Sequence, residues 1–268
     1  MSSSGKTITV IGSGLIGRSW AMVFASGGYR VRIYDNQPGL AAKAVTEIRK
    51  QLGELEEASM LRGELSSSDQ LALLSSHDDL KQALEGAFFV QESVFEDLAA
   101  KQSVFQAVEC LVGSEVILSS STSCLLPSNV FSAVQMPNRC IVSHPVNPPY
   151  YVKLVELVPH PATLGAVMDA THTLMTQVGQ CPVRLNKEID GFALNRVQYA
   201  IIAESWRLVE VRHTHKQTNK QTNKQTNKHT HTRMIRVKGE GMMVRCNWNV
   251  TRYETPCALS HTHRMHTK

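Results

Sequence analysis

The chain has 268 residues, 42% of them hydrophobic, and a formal net charge of +5. That length allows one large α/β domain with a smaller one, and no apolar run approaches the ~20 residues of a membrane-spanning helix. Six scattered cysteines without a C-x-x-C pair or zinc spacing argue against a zinc module or disulfide scaffold, so no metal is expected.

The charge is unevenly placed. Residues 1–211 carry 16 Lys/Arg against 21 Asp/Glu, whereas residues 212–268 carry 12 against 2 and hold seven of the eleven histidines. Two kinds of sequence meet near Val211. Met1-Ser2-Ser3-Ser4-Gly5-Lys6 runs directly into an apolar stretch, leaving no room for a signal or transit peptide, so the cytoplasm is the expected compartment.

Ile8-Thr9-Val10-Ile11 predicts a strand, and Gly12-Ser13-Gly14-Leu15-Ile16-Gly17 follows it directly. A helix is expected from Leu15 to about Gly27, then a second strand over Val31–Tyr34 that stops at Asp35. Gly12 permits the tight turn, Gly14 lets a diphosphate approach the backbone, and Gly17 lets the helix pack closely on the strand. The helix N-terminus adds N–H donors and positive dipole. Asp35 lies eighteen residues beyond Gly17, where a carboxylate can accept hydrogen bonds from the adenine ribose. A lone G-x-G-x-x-G is weak evidence, but strand, helix and acid at this spacing together predict a dinucleotide site. Asn36 and Gln37 follow Asp35, with no arginine for a 2′-phosphate, which favours NAD over NADP.

A helical pattern then runs from about 38 to 58, broken by Gly63 and Ser66–Ser68, and a further helix is expected from Ser68 through Leu74. Strands are predicted at Ala87–Val90, Val116–Leu118, Arg139–Ser143, Tyr151–Val158 and, as a proline-bearing edge, Cys181–Leu185. Helices are predicted at about 97–111 and 163–178. This alternation predicts a doubly wound, Rossmann-type parallel sheet. From Gly191 a strongly apolar helix with Phe192, Val197, Ile201, Trp206 and Val209 begins an all-α C-terminal domain. The expected division is 1–188 for the cofactor domain, 189–211 for the start of the helical domain and 212–268 for a basic tail. Lys-Gln-Thr-Asn repeats three times over 216–227; lacking apolar residues, the tail is expected to be disordered. Nucleic-acid binding is the weaker reading of its charge, since neither interleaved aromatics nor a known module accompanies the lysines.

His144 follows a strand, and Glu156 lies twelve residues on, alternating onto one face with Val152, Leu154 and Val158. A carboxylate buried there unpaired would cost several kcal/mol, which a histidine partner would resolve while holding the imidazole as a general base. The bland alternative is a surface histidine and a rim glutamate. Ser121-Thr122-Ser123-Cys124 places hydroxyls at a strand end, Gly191-Phe192-Ala193-Leu194-Asn195-Arg196 opens the apolar helix with a polar Asn195, and Glu96 and Lys101 flank another helix start. Taken singly, these read as a capping serine, a partly exposed amide and a solvated ion pair.

In this order and spacing the segments read S-x-T-S, H-x-x-N-P, L-V-E and G-F-x-x-N-R, and the chain resembles the 3-hydroxyacyl-CoA dehydrogenase family over about residues 6–210. Gly12–Met22, Ser119–Cys124 and His144–Tyr151 look like the branch that oxidises L-gulonate to 3-dehydro-L-gulonate. The fatty acyl-CoA branch more often has aromatic residues where this chain has Pro145-Val146. The resemblance implies His144 as general base, Glu156 as its orienting partner, and Ser123 and Asn195 as hydrogen-bond partners of the reacting oxygen. It further implies NAD contacts from the Leu15 and Ile16 backbone, from Asp35, and from Glu96 and Lys101 at the nicotinamide end. A small 3-hydroxy acid substrate and a homodimer follow from the same resemblance. The departure after Val211 predicts a truncated helical domain, a poorly held Asn195 and a weakened dimer. The other readings are a 3-hydroxyacyl-CoA dehydrogenase and an inactive or structural product.

Overall fold

The computed structural model describes residues 5–210, and the tail expected to be disordered lies outside the described residues. The chain divides into two units, 1–200 and 201–268.

Strands β1 (Thr7–Ile11), β2 (Arg30–Tyr34), β3 (Leu74–His77), β4 (Ala87–Glu92), β5 (Ile117–Ser120), β6 (Cys140–Pro145), β7 (Leu154–Pro159) and β8 (Cys181–Arg184) form one sheet. Its order is β3-β2-β1-β4-β5-β6-β7-β8. From β3 across to β6 each strand is parallel to the next, with the chain reversing direction across the sheet between β1 and β4. Alternation along the strands feeds two cores. Ile8, Val10, Phe89 and Ile141 pack with Trp20, Phe24, Ile48 and Leu174 from α1 (Leu15–Ser26), α2 (Leu40–Glu57) and α7 (Gly165–Gln177). Ile11, Val90, Leu118 and Val142 pack on the other face with Phe105 and Val108 of α5 (Leu98–Glu109) and Val130 of α6 (Pro127–Val130). A sheet buried on both faces is what its near-continuous apolar strands require.

Four local expectations are corrected. The sheet is mixed: β7 runs antiparallel to β6. Only residues 146–153 join them, too few for the crossover that a parallel pair needs. The expected strand over Tyr151–Val158 starts only at Leu154, because Tyr151 and Val152 N–H both turn back to Pro148 O at 3.0 Å. Leu74, expected to end a helix, instead opens β3; the helix α3 (Ser67–Ala72) stops before it and Val31 pairs with Leu74. Ser75 and Ser76 lie exposed on this outermost strand, so no apolar alternation announces it. Past the edge strand β8, Gly191 and Phe192 take φ of 73° and 48°, and α8 (Leu194–Glu210) begins only after that left-handed turn. The short α4 (Leu80–Leu84), capped by Asp79, completes the α-helices among the described residues. Among the described residues, no helix is long and apolar enough to cross a membrane.

Candidate active site

The turns after β1, β4 and β5 gather at the carboxyl ends of the strands, at the point where the sheet reverses, the usual ligand position in such sheets. Gly12 has φ of 97°, and a Cβ there would lie 2.6 Å from Ser93 O. A Cβ on Gly17 would collide with Gly12 O, so only glycine lets α1 sit this close to the turn. At Gly14, by contrast, an added Cβ would meet open space, and the α1 N-terminus has no side-chain cap. Leu15 is exposed there, while Ile16 leans on the core. Asp35, at the end of β2, accepts from Ser13 N at 2.9 Å and Ser13 Oγ at 2.6 Å, tying the acid to the glycine turn. Open backbone, uncapped amides and an acid beside them fit the diphosphate and ribose of a dinucleotide.

The second cluster lies on β6 and β7. The antiparallel register sets His144 directly opposite Glu156. His144 Nδ1 stands 2.8 Å from Glu156 Oε2, with both residues 3% exposed or less. Glu156 Oε1 accepts from Ala193 N and Leu194 N, each at 2.8 Å. Burial alone would raise the Glu156 carboxyl's pKa, but the bonds from His144, Leu194 and Ala193 outweigh it and hold it below the usual range. An ionised carboxylate only accepts, so Nδ1 carries a proton, and in the neutral imidazole the lone pair is on Nε2. The fully buried Phe192 ring packs beside the imidazole, with 5.6 Å between ring centroids. Asn195, also buried, donates through Nδ2 to Ser123 O at 2.8 Å, and its Oδ1 has no partner. Ser123 and Asn195 are thereby brought together near the start of α8.

A third cluster links the other two. Lys101 is not a surface lysine: it is 1% exposed, with Nζ 2.8 Å from Glu92 Oε1, 3.3 Å from Val94 O and 3.4 Å from Glu96 Oε2. Burial would lower the Lys101 pKa, but Glu92 and Glu96 more than offset it and raise it. Glu96 in turn accepts from Thr122 Oγ1 and from Ser123 N at 2.8 Å, so the ammonium positions the loop that carries Ser123. Burial pushes the Glu96 carboxyl up; Lys101, Thr122 and Ser123 together bring it below its usual range. Sequence reasoning missed Glu92, which accepts from Val94 N and Ser120 Oγ, each at 2.6 Å. It sits at the end of an apolar strand, where an acid before a loop carries no distinguishing signal. Phe192 was legible only as a helix residue, not as the neighbour of the His144 ring. Among the described residues, no group of His, Cys, Asp and Glu could hold a metal ion.

The fold and the glycine turn define a dinucleotide-binding domain of the dehydrogenase type. Residues 7–189 match the family model of the 3-hydroxyacyl-CoA dehydrogenase NAD-binding domain. The chain belongs to that family, and its cofactor is NAD. It is 54% identical over 203 residues to lambda-crystallin of Oryctolagus cuniculus, covering 76% of this chain and 64% of that protein. An L-carnitine dehydrogenase of Pseudomonas syringae is 33% identical over 204 residues, covering 76% and 63%. The 3-hydroxybutyryl-CoA dehydrogenase structure from Escherichia coli K12 superposes with a TM-score of 0.72 at 30% identity, covering 76% of this chain and 43% of that one. The chain thus spans just under two thirds of the curated relatives it matches.

Proposed function

We propose that the chain oxidises a small 3-hydroxy acid, L-gulonate to 3-dehydro-L-gulonate, with NAD as acceptor. NAD, when bound, supplies the acceptor for the hydride. His144 takes the hydroxyl proton at Nε2 while Glu156 holds Nδ1–H and stabilises the imidazolium that results. Ser123 through its hydroxyl and Asn195 through the second N–H of its Nδ2 hydrogen-bond the reacting oxygen. Gly12, Gly14, Gly17, Leu15, Ile16 and Asp35 hold the cofactor's diphosphate and adenine ribose, and Glu96 with Lys101 its nicotinamide end. The observation that carries this reading is the buried 2.8 Å His144–Glu156 pair, fixed on its far side by the Ala193 and Leu194 amides. The gulonate assignment is supported by the Gly12–Met22, Ser119–Cys124 and His144–Tyr151 stretches.

The experiment compares initial rates of NADH production from L-gulonate and from 3-hydroxybutyryl-CoA. The expected result is a kcat/KM at least about tenfold higher for L-gulonate, equivalent to ~1.4 kcal/mol. The reverse ratio would establish the acyl-CoA reading, which the likeness to the 3-hydroxybutyryl-CoA dehydrogenase supports. We further propose a homodimer working in the cytoplasm, with the cofactor domain ending near residue 188; analytical ultracentrifugation tests the assembly.

A further inference from the structure

A set of hydroxyls at the carboxyl ends of β4 and β5 stands apart from the His144 pair. Ser121 Oγ lies 3.1 Å from Trp20 Nε1, 2.7 Å from Gln91 Nε2 and 2.8 Å from Ser93 Oγ. An indole N–H and an amide N–H can only donate, so these two occupy both lone pairs of Ser121 Oγ. Trp20 and Gln91 are fully buried, so neither donor has water as an alternative. The single Ser121 proton is therefore left for Ser93 Oγ. Ser93 accepts it, and its own proton meets no acceptor among the described residues.

The Gln91 amide orientation supports this direction. Its Oε1 is buried without a partner. Turned round, the amide would leave its NH2 group in that place, and an orphaned buried donor is rarer than an under-satisfied oxygen.

The unused Ser93 proton falls at a particular place. Ser93 N donates to Ile11 O at 2.7 Å, and Ser93 O is the atom that a Cβ on Gly12 would strike. Ser93 is partly exposed and lies against Gly12 of the glycine turn. A bound dinucleotide carries acceptor-only diphosphate oxygens and ribose hydroxyls that can also accept, either of which can take such a proton. We propose that Ser93 is a cofactor-binding residue. Its hydroxyl, oriented outward by Trp20 and Gln91 through Ser121, donates to an oxygen of the bound dinucleotide. The proposal rests on the NAD site described above.

The test is NADH titration of the full chain, followed by the cofactor's own fluorescence, together with thermal melts. Ser93→Ala is expected to raise the NADH Kd about three- to tenfold, the size of one net hydrogen bond, with little change in Tm. Ser93→Thr should stay within about twofold of the parent, and Ser93→Val should behave like Ser93→Ala. Trp20→Phe frees one lone pair of Ser121, lets Ser93 donate inward, and should weaken NADH binding about twofold. Combined with Ser93→Ala it should add nothing further, because both changes act on the same proton. Equal NADH affinity in the parent and a folded Ser93→Ala variant would overturn the proposal. Should Ser93→Ala melt early, equal affinities of the Thr and Val variants would overturn it instead. A parent chain that binds no NADH would remove the cofactor site itself, and the role of Ser93 with it.

Discussion

Glu156 accepts three hydrogen bonds through its two oxygens, and together they decide where the His144 proton sits. In Glu156→Gln the amide oxygen must face the Ala193 and Leu194 N–H groups, which turns the NH2 toward Nδ1. Nδ1 must then accept, the proton moves to Nε2, and the base is lost. We expect kcat to fall at least about 100-fold with NADH affinity within about twofold of the parent, measured by initial rates and titration. His144→Ala should abolish most turnover with the same retained NADH binding. Acid stability has a definite sign here. The folded-state pKa of Glu156 lies below its unfolded value of about 4.3, so its ionisation adds stability that is complete above that pH. That increment is lost as the pH falls through the folded value. Denaturant melts of the parent and Glu156→Gln should therefore converge on acidification below about pH 4. At the other end of the site, Asp35 would face any 2′-phosphate with like charge. NAD should be preferred to NADP by at least about tenfold in kcat/KM, and Asp35→Ala should narrow that ratio.

At the scale of elements, α5 is joined to β4 by the buried Lys101–Glu92 contact as well as by the packing of Phe105 and Val108. Lys101→Met leaves Glu92 buried without its cation, a change that typically costs about 3–5 kcal/mol. A fall of that size in unfolding free energy is the expected result of a urea melt, with a weaker hold on the Glu96–Ser123 loop. Because the folded Lys101 pKa is raised, the pair's stabilisation is fully present below the unfolded value of about 10.4 and is lost as pH rises through the folded one. The α1–turn junction is the other sensitive joint. Gly17→Ala sets a methyl against Gly12 O, which is backbone and cannot swing away. Roughly 1–3 kcal/mol of destabilisation and at least about a tenfold loss of NADH affinity are expected.

Over the whole molecule, cofactor binding and folding are coupled because the diphosphate turn, Asp35 and the β4–β5 loops all belong to the one sheet. At about 100 times its Kd, NADH should add ~2.7 kcal/mol to stability. For a body of this size that corresponds to a Tm increase of about 5–10 °C. NADPH at the same concentration should give a clearly smaller shift in differential scanning fluorimetry. Equal shifts would remove the electrostatic role assigned to Asp35. The face of α8 that the sequence marks as apolar leaves Val197, Ile201, Trp206 and Leu208 exposed among the described residues, whereas Phe192 and Asn195 just before and at its start are buried.

What the amino-acid order alone determined was whatever rests on local chemistry. The glycine turn follows from a β-branched run ending in three spaced glycines, and Asp35 from the next strand's end. His144 and Glu156 were legible because strand alternation turns a carboxylate toward an apolar face, where it needs a partner. The direction of β7, the depth of Lys101 and the packing of Phe192 beside the imidazole were decided only in three dimensions. So were the buried Glu92 and the hydroxyl chain from Trp20 to Ser93. Each of these depends on which distant segments lie side by side: residues 9 apart in Lys101–Glu92, 28 in Ser93–Ser121, and 101 in Trp20–Ser121. Periodicity reports which face a residue occupies. The donor or acceptor waiting across that face is set by the packing of the sheet.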